Sequence, residues 1–339
     1  MAVEVQPAMD PTFESKKRGS RSHRIYSSAV LLVVLVGSVY FKEVKEFVKS
    51  FDPFLGQRLV MYQGEGGQKW LVPHSNYNYT YKAYFEDFVW NESAFAFINK
   101  YWLICLPIGY LYYFGIHRLE AFMKNREPMK LQTTLVLWNL FLGLFSIAGF
   151  VRVVEEYYYV VSNFGFYNAI CNIFSPNGPA FFWSVMFTVS KVLELGDTVF
   201  LVLRKKPVIF LHSFHHMFVM VIVFHAVAEM GAPAITFMLM NYFAHSIMYP
   251  YYAAMAAGIR VPRPLAKCIT VIQITQMFLG VMVTTFTVYK RDIQGEYCQT
   301  TRFSTLLSYT TYVAFGWLFV QFFLKAYAKK PRTAEKKHD

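Results

Sequence analysis

Apolar residues along this chain come in long blocks instead of the short alternations of a soluble core, and a block of about 20 residues is the length that crosses a bilayer as a helix. Such blocks stand near residues 26 to 42, 96 to 116, 131 to 154, 179 to 203, 209 to 229, 233 to 257, 265 to 289 and 304 to 327. The pattern predicts an all-α polytopic membrane protein, a seven-helix bundle over residues 96–327 with one extra N-terminal transmembrane helix before it. That first block, IYSSAVLLVVLVGSVYF, is short and follows the basic stretch SKKRGSRSHR, with no small-residue cleavage site after it. It reads as a signal anchor over 26–42 and not as a cleaved leader.

The hydrophilic intervals set the orientation, because basic loops stay in the cytosol. With the N-terminus cytosolic, the cytosolic parts are the tail 1–25, HRLEAFMKNREPMK, LRKKP, GIRVPRPLAK and the tail 328–339, all of them basic. The opposite intervals are the 43–95 loop, VEEYYYVVSNFGFYNAICNIFSPNGP, AEMGAP and KRDIQGEYCQTTRF. These carry fewer basic residues for their length and are assigned to the lumen. Asn78-Tyr79-Thr80 and Asn91-Glu92-Ser93 are glycosylation sequons on that side, with Asn91 close to the membrane. Cys171 and Cys298 fall in two of the luminal intervals, where an oxidising compartment favours a disulfide between them; Cys105 and Cys268 lie in or beside helices.

Composition adds little to this picture. The 339 residues are 55% hydrophobic and 19% aromatic, as a membrane bundle requires, and the net charge of +12 is accounted for by the cytosolic loops. No aromatic-basic groove pattern accompanies that charge, so nucleic acid is set aside as a partner. The chain ends in KKHD, where Lys336 and Lys337 resemble the dilysine retrieval signal of endoplasmic reticulum membrane proteins. Residence in that membrane, with both termini cytosolic, is the resulting expectation.

Ionisable groups inside membrane helices are costly and mark functional sites, and four clusters of polar residues stand in these blocks. Lys191, Glu194, Asp197 and Thr198 fall within about 120° of one helix face, with Lys191 and Glu194 placed to pair at i,i+3. The alternative for them is a structural ion pair locking two helices. His212, His215 and His216 share about 100° of the next helix, while His225 lies on the opposite side and reads as a core or loop-proximal histidine. Asn241, His245, Met248 and Tyr252 share a face with Tyr249 at its edge and Pro250 just beyond; Tyr251 reads as part of an interfacial tyrosine belt. Thr270, Gln273 and Gln276 share a face of the following helix, where glutamines either join helices or touch substrate. A single polar chamber enclosed by the bundle is the economical reading.

Metal binding is the first chemistry to weigh, since HxxHH boxes are familiar in membrane di-iron oxygenases. Only His212, His215, His216 and His245 are well placed for it, too few for two irons; His23, His74 and His338 lie outside the bundle and His117 stands alone. A single zinc is numerically compatible, but no metal is expected. The remaining use of clustered imidazoles is nucleophilic and acid-base chemistry, in which one ring attacks and another moves a proton.

In order and type the four clusters resemble the ELO family of very-long-chain fatty acid elongases, the condensing enzymes of the endoplasmic reticulum. The family pattern KxxExxDT is met by Lys191, Glu194, Asp197 and Thr198, and HxxHH by His212, His215 and His216. NxxxHxxMYxYY is met by Asn241, His245, Met248, Tyr249, Tyr251 and Tyr252, and TxxQxxQ by Thr270, Gln273 and Gln276. The match covers roughly residues 95 to 339; residues 1 to 94 depart from it, because the family has seven helices and a luminal N-terminus.

The resemblance implies condensation of acyl-CoA with malonyl-CoA to 3-ketoacyl-CoA, with loss of CoA and CO2. No bound cofactor is implied. His215 would attack the thioester to give an acyl-imidazole, His212 and His216 would orient and relay protons, and Asn241 and His245 would stabilise the oxyanion. Lys191, Glu194 and Asp197 would shape the field of the chamber, and a one-step condensation with histidine as base would use the same residues. Arg204, Lys205, Lys206, Arg260, Arg263 and Lys267 ring the cytosolic mouth, where CoA phosphates would bind, although positive-inside bias alone places basic residues there. NYFAHSIMYPYY and QITQM lean toward saturated and monounsaturated substrates, whereas HSFHH lacks the aromatic after the first histidine that is usual in that group. Implied partners are the lipid bilayer, the ketoacyl-CoA reductase, dehydratase and enoyl reductase of the elongation cycle, and a second copy in a homodimer. The rival class is a non-enzymatic transporter or receptor with a polar midplane site, against which stands the lack of an inverted repeat with broken helices.

Overall fold

The computed structural model describes residues 77–86, 97–174 and 178–327. The tail 1–25, the signal-anchor block 26–42, most of 43–95 including Asn91, and the tail 328–339 with Lys336 and Lys337 lie outside the described residues.

Lipid offers the backbone no hydrogen-bond partner, so a spanning segment satisfies its own amides as a helix. The helices are α1 (Cys105–Met123), entered through a 3-10 turn, α2 (Gln132–Cys171), α3 (Pro179–Leu193) and α4 (Gly196–Leu203). They continue with α5 (Phe210–Ala228), α6 (Pro233–Ala256), α7 (Arg263–Val288) running into a π turn (Tyr289–Ile293), and α8 (Arg302–Tyr327). Among the described residues there is no strand. With α3 and α4 as one interrupted crossing, these make the seven expected spans of an all-α polytopic membrane protein. α2, α5, α7 with its π turn, and α8 are each long and apolar enough to cross a bilayer.

Packing runs in a closed circuit: α1 touches α5 and α4, α5 touches α3 and α8, α8 touches α7, α7 touches α6, α6 touches α2, and α2 touches α3. Small residues let the helices approach, since between lipid-solvated helices close van der Waals contact replaces the hydrophobic drive. A Cβ on Gly149 of α2 would meet the Tyr242 ring of α6 at 2.4 Å, and Gly143 of α2 seats the Pro250 ring of α6, 3.0 Å from where its Cβ would be.

Three expectations are corrected. The interval 154–179 is not a loop: α2 continues to Cys171, because Val153, Glu156 and Val160 recur at helical spacing and are buried against the bundle. Forty residues of helix span about 60 Å, twice the hydrocarbon thickness of about 30 Å. The excess is redirected at Gly165, whose φ of 81° only glycine adopts freely, and the last turns carry Cys171 to its disulfide with Cys298. The block 179–203 is not one helix either, since it breaks at Glu194 and Leu195 before Gly196, which packs beneath the Trp138 ring. Its polar residues therefore do not share one ideal face. Lastly, Tyr251 is not at the interface but buried at 7% exposure, in a cluster with Leu142, Met248 and Tyr249.

At the disulfide end, residues 77–86 strap across α2 and α3. Tyr77 donates to Glu155 at 2.7 Å; Tyr79 donates to Glu156 at 2.6 Å and accepts from the Ala180 N–H at 3.3 Å. Arg152 grips both oxygens of Glu86 at 2.8 Å, and the Trp183 indole donates to the same carboxylate at 2.8 Å. Burial by itself pushes the Glu86 carboxyl up, but Arg152, the Ala83 N–H and the Trp183 indole together hold it below the usual range. Asn78 stands exposed in this strap.

Replacing Gly149 by Val forces the α2–α6 contact apart. Overpacking of this kind costs about 1–3 kcal/mol, and thermal unfolding in detergent is expected to show a lowered Tm. Glu86→Gln is expected to destabilise at neutral pH, where the native carboxylate is charged. Because its folded pKa is depressed, that stabilisation is lost as pH falls through it, so the Tm gap between wild type and variant closes below pH 4.5.

Candidate functional site

The polar clusters converge around one buried ammonium. Lys191 Nζ, in the last turn of α3, donates to Glu194 Oε1 at 2.7 Å and to Asn241 Oδ1 of α6 at 2.9 Å, and lies 4.0 Å from the centre of the Phe187 ring. An ammonium can only donate, which turns the Asn241 carbonyl toward it and the Asn241 amide nitrogen away. That nitrogen sits 3.3 Å from His245 Nε2, one turn along α6. Nε2 is then the acceptor, so the proton of the neutral ring is on Nδ1, which faces Glu194 Oε1 at 3.8 Å. Ser190 Oγ donates to the same Glu194 oxygen at 3.1 Å. Glu194, Lys191, Asn241 and His245 thus close a loop across α3 and α6, and the second N–H of Asn241 is left over.

A second group is built on Asp197. Trp138 of α2 donates to Asp197 Oδ1 at 2.6 Å and Tyr249 of α6 to Oδ2 at 3.0 Å. His216 Nε2 lies 4.0 Å from Oδ2, fully buried and with no hydrogen-bond partner among the described residues. Thr198 joins Tyr112 of α1 at 2.6 Å to His212 Nε2 at 3.0 Å. The His212 and His216 ring centres are 4.5 Å apart and those of His215 and His216 5.5 Å. His215 points to another side, against Phe315 and Phe319 of α8 at 5.0 and 6.1 Å.

His215 also opens a cavity. His215, Asn241 and Gln276 form its polar end, and Val219, Ile222, Val223, Ala226 and Val227 continue it along one face of α5. From His215 to Val227 is about 18 Å of helix. Ile173, Phe174 and Met230 line it at the disulfide end, with Phe181, Phe187, Met238 and Phe315 along the sides. It is a mainly apolar tube with an imidazole and two amides at one end, and Ser184, Ser308, Thr311 and Tyr312 set among the apolar side chains of its wall.

The other sequence-identified residues sit around this centre. Gln273 donates to Met248 Sδ at 3.2 Å, joining α7 to α6, and Thr270 bonds the Ala266 carbonyl of its own helix. Tyr252 is half-buried against Tyr251. Lys205, Lys206, Arg260, Arg263 and Lys267 are exposed, with Arg204 half-buried. They lie after α4 and at the start of α7, the same end at which the histidines of α5 begin. Among the described residues no group of three or more His, Cys, Asp or Glu is placed to hold a metal.

Trp138, Tyr112, Ser190 and Phe187 belong to these clusters and went unrecognised in the sequence. A lone tryptophan or tyrosine in an apolar block carries no periodic signal; only the unmatched charge of Asp197 and Lys191 implied that partners must exist.

The profile of the ELO: GNS1/SUR4 family matches residues 97–335. The chain is 40% identical over 259 residues to the putative fatty acid elongase 4 of Caenorhabditis elegans, covering 76% of this chain and 88% of the relative. It is 36% identical over 252 residues to the human very long chain fatty acid elongase 3, covering 74% and 93%, and 36% identical over 248 residues to the rat very long chain fatty acid elongase 6, covering 73% and 93%. A bundle of seven spans, four polar motifs gathered at one end of an apolar tube, and matches of this extent place the chain in the ELO (GNS1/SUR4) family of fatty acid elongation enzymes.

Proposed function

We propose that this enzyme condenses a long-chain acyl-CoA with malonyl-CoA to give a 3-ketoacyl-CoA, CoA and CO2, the first step of an elongation cycle. The observation that carries the reading is the position of His215, an imidazole at one end of a cavity walled mainly by apolar side chains. A thioester held there places its carbonyl carbon beside the ring and its acyl chain in the tube.

The His215 ring nitrogen attacks the thioester carbon, the C–S bond breaks and CoA departs as thiolate, while the ring proton passes to His216 and on toward the thiolate. His216 suits that relay because its Nε2 is otherwise unpartnered. Malonyl-CoA then loses CO2, and the electron pair of the broken C–C bond attacks the acyl carbon. The C–N bond opens, its pair returns to His215, and the ring takes up a proton from solvent by way of His216, which restores the neutral imidazole. The spare N–H of Asn241 is the donor to the oxyanion; His245, as an acceptor from that amide, holds it in place together with Lys191. Asp197, anchored by Trp138 and Tyr249, sets the field at His216.

His212, the third residue of α5, sits with its neighbours near the end that carries Arg204, Lys205, Lys206, Arg260, Arg263 and Lys267. These cations bind the CoA phosphates. The enzyme resides in the endoplasmic reticulum membrane with that end cytosolic, Asn78 luminal and open to glycosylation, and passes its product to the ketoacyl-CoA reductase of the cycle.

Incubation with palmitoyl-CoA alone, followed by mass spectrometry, is expected to show an acylated His215; an unmodified ring in active protein points to one-step condensation. His215→Ala is expected to abolish 3-ketoacyl-CoA formation from labelled malonyl-CoA in correctly inserted protein. If product continues at the normal rate, the reading fails. Asn241→Ala is expected to lower kcat by about 10²–10³, the effect of removing one oxyanion donor, and Lys191→Met to lower it through the same amide while leaving KM for acyl-CoA within a few-fold.

A further inference from the structure

Beside the apolar tube, toward the disulfide end, lies a second cavity of different chemistry. Ile222, Ala226, Gly231, Ala234, Phe237 and Ser308 line both, so the two share a wall, three of whose six residues are glycine or alanine. The second cavity is lined by Thr284, Thr287, Thr300, Ser304, Thr305, Ser308 and His225, set among Ile222, Pro233, Phe237 and Leu307. Thr284, Thr287 and Thr305 bond carbonyls of their own segments, the ordinary way a helical threonine satisfies itself, and they decide nothing.

The others retain capacity. Ser304 Oγ lies 3.1 Å from His225 Nε2 and donates to Glu229 Oε2, which also accepts from Thr301 at 2.8 Å. His225 Nδ1 and Glu229 Oε1 are buried without a hydrogen-bond partner among the described residues, on side chains only 2% and 7% exposed. The Thr300 and Ser308 side chains make no hydrogen bond among the described residues. This is not a hydrolytic triad: Ser304 and Glu229 both approach Nε2, at 3.1 and 3.2 Å, whereas a triad needs the acid on the other ring nitrogen.

Of these, His225, Thr300, Ser304 and Ser308 line the void, with Glu229 behind Ser304; polar groups with unfilled capacity beside a void suit a ligand atom that both donates and accepts. A carboxylate is opposed by the Glu229 charge, and the nearby cation Arg291 is engaged by Asp292 at 2.7 Å. A methyl terminus leaves the chamber unmatched. A neutral hydroxyl meets both conditions. We propose that the enzyme takes acyl-CoA substrates carrying a hydroxyl at or near the far end of the chain, which passes the shared wall and seats in this chamber. The inference rests on the condensation reading and names a substrate class for it. His225 lies ten residues beyond His215, about 15 Å along α5, so the hydroxyl is selected at one range of chain length.

The test is elongation by the reconstituted full chain of ω-hydroxyacyl-CoAs from lauroyl to stearoyl length, each competed in one tube against its unsubstituted counterpart, with labelled malonyl-CoA. At the best length the hydroxylated substrate is expected to equal or exceed its counterpart in kcat/KM. Thr300→Val, which removes a hydroxyl at constant volume, and Ser304→Ala are expected to lower that ratio at least fivefold. The ratio is internal to each protein sample, so a loss of folded enzyme does not change it. Tenfold or greater discrimination against the hydroxyl at every length, or a ratio indifferent to both variants, overturns this inference alone. No product from any substrate overturns the condensation reading and this inference with it.

Discussion

A buried ammonium is the constraint around which the centre of this protein is arranged. Lys191 is 2% exposed inside a membrane bundle, where an unpaired charge is strongly disfavoured. It has three protons to place, and Glu194 and Asn241 receive two of them. That choice orients the Asn241 amide, which fixes the proton on His245, which in turn faces Glu194. Residues from two helices and fifty positions apart in sequence therefore act as one unit. Changes to members of such a unit are not additive, because each deletion leaves the others unpaired.

The same economy of matching divides the interior into wet and dry regions. Near the basic end, imidazoles, phenols and carboxylates are held within hydrogen-bond reach of one another, while the tube that starts at His215 is walled mainly by apolar side chains. Aromatic rings supply much of the wall because they fill volume rigidly: Phe187 serves both the tube and the Lys191 ammonium, and Phe315 meets His215 edge to face. Outside the tube the helices meet closely, as at Gly149 of α2 on Tyr242 of α6.

Much of this was legible in the sequence because lipid imposes long, countable helices and because ionisable residues in them are conspicuous. The spans from Cys105 to Tyr327 and the convergence of Lys191, Glu194, Asn241 and His245 could be read in that way. What could not be read was set by tertiary context. α2 runs past the membrane because residues beyond Arg152 find partners in the strap and the bundle, something periodicity in VEEYYYVVSNFGFYNAIC does not distinguish from a loop. Asp197 follows the break at Glu194 and Leu195 and is held by Trp138 and Tyr249, partners from other helices that a projection of its own helix does not supply. His225 looked like an ordinary core histidine, and only its neighbours from α8 reveal a second polar chamber.

The covalent bond between Cys171 and Cys298 sits amid a knot of backbone contacts. Gln299 N–H donates to the Cys171 carbonyl at 2.9 Å and its own carbonyl accepts from Ala232 N–H at 2.7 Å, so the end of α2, the α5–α6 turn and the α7–α8 turn are fastened together. At the opposite rim, where exposed cations face outward, no disulfide is present among the described residues, and the α1–α2 turn is joined to the end of α4 by hydrogen bonds alone, Met129 N–H to the Leu203 carbonyl at 2.9 Å and Lys205 Nζ to the Lys124 carbonyl at 3.2 Å. A covalent rivet resists parting more than hydrogen bonds do, so the two rims are unequal, as the calyx of a flower is firmer than the edge of its petals. Reduction of that one covalent bond would leave both rims held by hydrogen bonds alone, and the difference between them would vanish.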